Sequence, residues 1–184
     1  MLAFELANAV GALSFAVDYT WRGRVISTAF VAAVLWGLDR AFRRRLAVPL
    51  PATVFACASL LIAIDFFGDI FHFYTRWAWY DQVAHGLGGA ILACAFLAIF
   101  RAAAAATFPR LPDAVLAVAA VGVQAILASA YEVEEYLEDY FYRTNRLGDG
   151  PDTANDIMLG LVGSIAVAAV SVGWRRWRKK MAAS

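Results

Sequence analysis

Apolar residues fill six long runs of the chain, each closed by a short charged or proline-containing break. The runs fall near 2–17, 25–41, 52–74, 81–103, 113–142 and 153–174. About twenty mostly apolar residues cross a bilayer as a helix. The pattern therefore predicts an all-α polytopic membrane protein, a six-helix transmembrane bundle. The first run is the shortest and contains Glu5 and Asn8; no Lys or Arg precedes Arg22, so it lacks the basic start of a signal peptide and reads as a membrane helix. The fifth is long enough to project beyond the bilayer, and its end, 134–143, is charged. The break RTNRLGDGPD at 143–152 is the most turn-rich, with Gly148, Gly150 and Pro151 close together. There is no internal repeat and no low-complexity linker, so residues 1–184 read as one integral membrane domain.

Composition sharpens this picture. Hydrophobic residues make up 62% and charged residues 17%, against about 45–50% and about 25% in soluble domains. Six spans use almost the whole length, so an extramembrane catalytic domain is excluded. Cys57 and Cys94 lie in apolar runs with no partner motif, which excludes a disulfide scaffold and a cysteine zinc site. Both read as polarizable core filler. No basic patch interleaved with aromatics suggests nucleic acid; the expected partners are membrane lipids.

The basic residues predict an orientation. With six spans, one side carries Arg40, Arg43, Arg44, Arg45, Arg101, Arg110, Arg175, Arg176, Arg178, Lys179 and Lys180. The other carries Arg22, Arg24, Arg76, Arg143 and Arg146. The positive-inside rule makes the richer side cytoplasmic, which predicts a multi-pass protein of the inner (plasma) membrane with both termini in the cytoplasm.

Candidate chemistry gathers on the opposite side. Asp65, Asp69, Asp81, Glu132, Glu134, Glu135, Glu138, Asp139, Asp149, Asp152 and Asp156 fall there, with His72 and His85. Asp65, Asp69 and His72 stand at i, i+4, i+7, one helical stripe. Asp81 and His85 stand at i, i+4 and lead into Gly88 and Gly89; Asp152 and Asp156 repeat the step and lead into Gly160 and Gly163. Glu132 and Glu135 are at i, i+3. Small residues let membrane helices approach closely, which would press these stripes together. A carboxylate at the bilayer centre costs about 2.5–3.5 kcal/mol, and Asp65 reads as about 15 Å inward from its helix end. Only Arg76, Arg143 and Arg146 read as near enough to neutralise the acids, so a divalent cation is the natural counter-charge.

Imidazole with carboxylates and no thiolate suits Zn, Mn or Fe, and with fewer histidines Mg or Ca. The metal candidates are His85, Glu132, Glu135, Asp152, Asp156, Asp81, Asp69 and His72, with Glu132 and Glu135 also candidate catalytic bases. Asp81 would fix the His85 tautomer. The Glu-x-x-His pairs of bundle di-iron sites are absent. Plainer readings stand beside these. His72 sits in FHFYTRWAWY, where Trp77, Trp79 and Tyr80 read as an interfacial belt. Glu134, Glu138 and Asp139 read as a solvated face, and Asp149 as a turn residue.

YDQVAH at 80–85, YEVEE at 131–135 and GDGPDTANDIM at 148–158 resemble the YjdF-type (DUF2238) inner-membrane proteins, a family of unknown function. The likeness covers about the last 110 residues of the chain. It picks out Asp81 and His85, Glu132 and Glu135, and Asp149, Asp152 and Asp156. The chain departs from the family pattern at Gly86, where an aromatic residue is usual, and at Glu134, an extra acid. A more distant similarity is to VanZ-like membrane proteins. Neither resemblance supplies a reaction.

Three functions fit the residues. A metal-dependent hydrolase or transferase would act on a lipid or lipid-linked head group, its metal activating water or polarising an oxygen. A cation or proton transporter would use the same acids as a relay, although no inverted repeat supports a standard transporter. A structural subunit would use the acids to cap a partner.

Overall fold

A computed structural model describes residues 1–18, 20–143, 147–148 and 150–183; Asp149 and Arg146, both singled out in the sequence, lie outside them. Every element among the described residues is a helix: α1 (Leu2–Ala9), α2 (Trp21–Leu46), α3 (Ala52–Ile70), α4 (Phe73–Arg76), α5 (Ala78–Thr107), α6 (Asp113–Tyr142) and α7 (Gly150–Met181). Of these, α2, α3, α5, α6 and α7 are long and apolar enough to cross a membrane. The shortest, α3, has 19 residues, about 29 Å at 1.5 Å per residue, which matches a hydrocarbon core of roughly 30 Å. Ile26, Phe30, Trp36, Val118, Ile126 and Val170 are all 66–73% exposed. Apolar surface on that scale belongs against lipid.

The count of six spans is corrected to five. The first run forms only the eight residues of α1, about 12 Å. Its apolar composition resembles a span, but two local features turn the chain. Gly11 takes a left-handed φ of +77°, and Asn8 binds the returning strand of chain: its amide donates to Phe4 O at 2.9 Å while its oxygen accepts from Phe15 N at 3.0 Å. The Phe4 ring then packs against Phe15, Trp21 and Phe66, with centroids 5.2–5.9 Å away. A five-span count puts the two ends of the spanning set on opposite faces, where six would put them on the same face.

The chain forms two compact units, Met1–Asp81 and Gln82–Ser184, with α5 beginning in the first and continuing through the second. In the first unit, the Thr20 hydroxyl caps α2 by accepting from Gly23 N at 3.1 Å. The helix ends at Ala47 in the left-handed region. Asp39 secures the turn that follows, accepting from Leu50 N at 3.0 Å and from Arg43 at 2.7 Å. α3 stops at Ile70, four residues before the sequence expectation, because His72 adopts φ +57°. Gly68 admits two aromatic rings there: a Cβ would lie 2.5 Å from Tyr74 and 2.6 Å from Tyr80. The Tyr80 hydroxyl donates to Ile64 O at 2.8 Å.

The second unit is built on α5, α6 and α7. Leu97, Ala117, Ala120 and Ala168 form its buried apolar core, flanked by Phe96, Phe100, Leu116, Val121 and Val172. Above that core α5 and α7 cross backbone to backbone. A Cβ on Gly89 would run into the Gly160 carbonyl, and one on Gly163 into the Gly86 carbonyl. Only glycine permits this approach.

Candidate metal centre

The glycine crossing positions the site. His85 stands one turn before Gly89 on α5, and Asp156 one turn before Gly160 on α7, so the contact carries both side chains toward each other. His85 Nε2 lies 3.8 Å from Asp156 Oδ2. Asp81 stands on the turn of α5 preceding His85, and one donor atom from each of Asp81, His85 and Asp156 falls within 4.8 Å of the others. Asp156 is 4% exposed, while Asp81 and His85 are half-buried. Two carboxylates and an imidazole at this spacing could hold one divalent ion after small rotamer changes; the donors suit Zn, Mn or Fe.

Helix α6 supplies the third wall. The Tyr131 ring meets the His85 ring edge-on, 6.3 Å between centroids. The neighbouring Glu132 and Glu135 are 5% and 7% exposed, which sets them apart from the exposed Glu134 on the same helix. The i, i+3 spacing thus marks a buried face. Asp152 is half-buried and turned toward its own loop, where its Oδ2 occupies the place of a Cβ on Gly148. A carboxylate in the first turn of α7 also favours the helix dipole. Asp139 organises the same loop by accepting from Leu147 N at 3.0 Å.

Asp69 and His72 occupy a different constellation, inside the first unit. Asp69 is fully buried, and its Oδ2 takes the Arg24 guanidinium at 2.7 Å. Its Oδ1 accepts from Asp18 N at 2.8 Å. His72 Nδ1 meets Asp18 Oδ1 at 2.6 Å. Arg24, 6% exposed, also lies 3.3 Å from Asp65 and 3.8 Å from the fully buried Glu5, which accepts from Thr28 at 3.1 Å.

Three expectations are corrected here. Arg24, which was not among the three arginines expected to neutralise the acids, pairs with them. Glu5 and Asp18, which are not among the acids placed in the stripes from the sequence, join one of them. Asp65 lies five residues, about 7.5 Å, from the end of α3, and its side chain is 51% exposed.

One further buried polar residue belongs to none of the motifs in the sequence. Gln124 on α6 is 1% exposed, its amide nitrogen lies 3.0 Å from a Cβ placed on Gly160, and its Oε1 is buried without a hydrogen-bond partner. The available signal was its spacing: Gln124, Tyr131, Glu132 and Glu135 continue one helical stripe.

The chain matches the model of a family described as predicted membrane protein (DUF2238) over residues 2–177, and it belongs to that family. This is the family of the YjdF-type resemblance; the match does not extend to VanZ-like proteins. No curated protein and no solved structure matches the chain.

Proposed function

We propose that this membrane protein binds a divalent metal ion between Asp81, His85 and Asp156 and uses it as a hydrolase or transferase on a lipid or lipid-linked head group. The observation that carries the reading is the meeting of these three donors within 4.8 Å, on helices held together by glycine contacts. A divalent ion held by these three residues would supply Lewis-acid chemistry, activating water or polarising a carbonyl or phosphoryl oxygen. Glu132 and Glu135, buried on the wall beside His85, are the candidate general bases. Asp152 supports the entry of α7 into the site. The basic-rich ends of α2 and α7 face the cytoplasm under the positive-inside rule, so the site opens toward the other leaflet, where head groups reach it. Five spans then place the N-terminal segment on the site's side of the membrane and the C-terminus in the cytoplasm.

Elemental analysis of protein purified without added metal tests this reading. A near-stoichiometric transition metal is expected, and it should be lost in both His85→Ala and Asp156→Ala. Metal-free wild-type protein that takes up none on titration would overturn the proposal.

Cation or proton transport is the second reading, favoured by buried polar side chains inward of the site. Gln124 and Ser164 are 1% and 0% exposed, which gives α6 and α7 polar groups along an otherwise apolar path. Ion flux into proteoliposomes that disappears in Gln124→Leu, with no head-group turnover, would select this reading.

A further inference from the structure

A second site lies at the other end of α5, α6 and α7. Asp113, the first residue of α6, receives Arg101 through both oxygens, at 2.7 and 2.5 Å, and Arg175 at 2.9 Å. The third Arg101 donor is fixed on Ser171 Oγ at 2.7 Å. Arg101 is therefore committed to joining the three helices. Arg175 is not: one of its nitrogens holds Asp113, and its side chain is 48% exposed. Lys179 follows it by four residues, on the same face of α7.

These groups border a cavity of about 260 Å³, lined on its polar side by Arg101, Asp113, Arg175 and Lys179 and on its apolar side by residues such as Phe108 and Leu116. Three cations against one carboxylate leave a surplus of two positive charges. The volume is just below the roughly 300–1,000 Å³ of drug-sized ligand sites, which suits a head group and excludes a whole lipid. Phe108 on the apolar wall is 65% exposed, which leaves acyl chains a way out along it. Arginine and lysine at this level complement phosphate, and basic pockets between spanning helices take anionic head groups.

We infer that the cavity bounded by Arg101, Arg175 and Lys179 binds the phosphate of an anionic phospholipid head group. Asp113 preorganises the arginines, and Arg175 and Lys179 deliver the contacts to the lipid. The inference is independent of the metal proposal, since it uses none of the same residues.

The test is native mass spectrometry of the full chain in neutral detergent, titrated separately with phosphatidylglycerol, phosphatidylcholine and inorganic phosphate. Wild-type protein should retain phosphatidylglycerol selectively. Arg175→Gln with Lys179→Gln should weaken that retention roughly thirtyfold, about fivefold per cation. Lys179→Gln alone, which leaves the Asp113 ion pairs in place, should weaken it about fivefold. The charge-matched pair Arg176→Gln with Arg178→Gln should keep wild-type retention. Equal loss in both double variants, equal retention of phosphatidylcholine, or full competition by inorganic phosphate would overturn the assignment.

Discussion

Replacing Arg24 by glutamine should be among the most damaging single changes in the first unit. Its guanidinium is 6% exposed and serves two fully buried carboxylates, Asp69 at 2.7 Å and Glu5 at 3.8 Å. Glutamine removes the cation and leaves both acids in place. Breaking a buried pair in this way costs about 3–5 kcal/mol, because the remaining charge has lost its partner. The half-exposed Asp65 contact adds little, under about 1 kcal/mol. For a chain of this length about 2–4 °C of melting temperature follows each kcal/mol, so the expected drop is roughly 6–20 °C. Thermal unfolding in detergent, followed by circular dichroism, measures it, with the exposed Arg22→Gln as control. Adding Glu5→Gln and Asp69→Asn to Arg24→Gln should recover much of the loss, since no buried charge then stands alone. A single variant that melts with wild type, or a triple variant no better than the single, would refute the reasoning.

Other outcomes separate the parts of the molecule. Glu5→Ala should lower stability but leave metal content at the wild-type level, whereas His85→Ala should remove the metal; equal metal loss would join the two constellations into one site. Gly89→Ala and Gly163→Ala should each lower both melting temperature and metal content, because a Cβ meets backbone there. Gly122→Ala, with open space at its Cβ, should be neutral or stabilising by up to about 1 kcal/mol, as read by melting. In a cysteine-free background, Ala3→Cys and Ala182→Cys should react with an impermeant maleimide from opposite faces of oriented vesicles; labelling from one face would restore an even number of spans.

The apolar runs and the glycine steps were legible because each depends on neighbours along one helix. Spacing alone marked His85 with Gly89 and Asp156 with Gly160, and it separated buried Glu132 and Glu135 from exposed Glu134. Arg24 was not legible in its role. Its partner Asp69 is 45 residues away, and nothing local distinguishes it from Arg22, which is exposed. The first run misled because composition reports apolarity and not continuity; the turn is made by Gly11 and by the Asn8 side chain binding residues on both sides of it.

The glycine crossing also sets the mechanics of α7. Asp156 lies four residues from Gly160, an arm of about 6 Å, while Met181 lies 21 residues away, an arm of about 31 Å. If the contact serves as fulcrum, a tilt of about 5° carries the far end through about 2.7 Å but the carboxylate through only about 0.5 Å. That is the tolerance within which a bound constellation keeps its geometry. Bilayer thinning or thickening that leans α7 is therefore taken up at the C-terminal end of the helix. The short arm keeps Asp156 in register with His85.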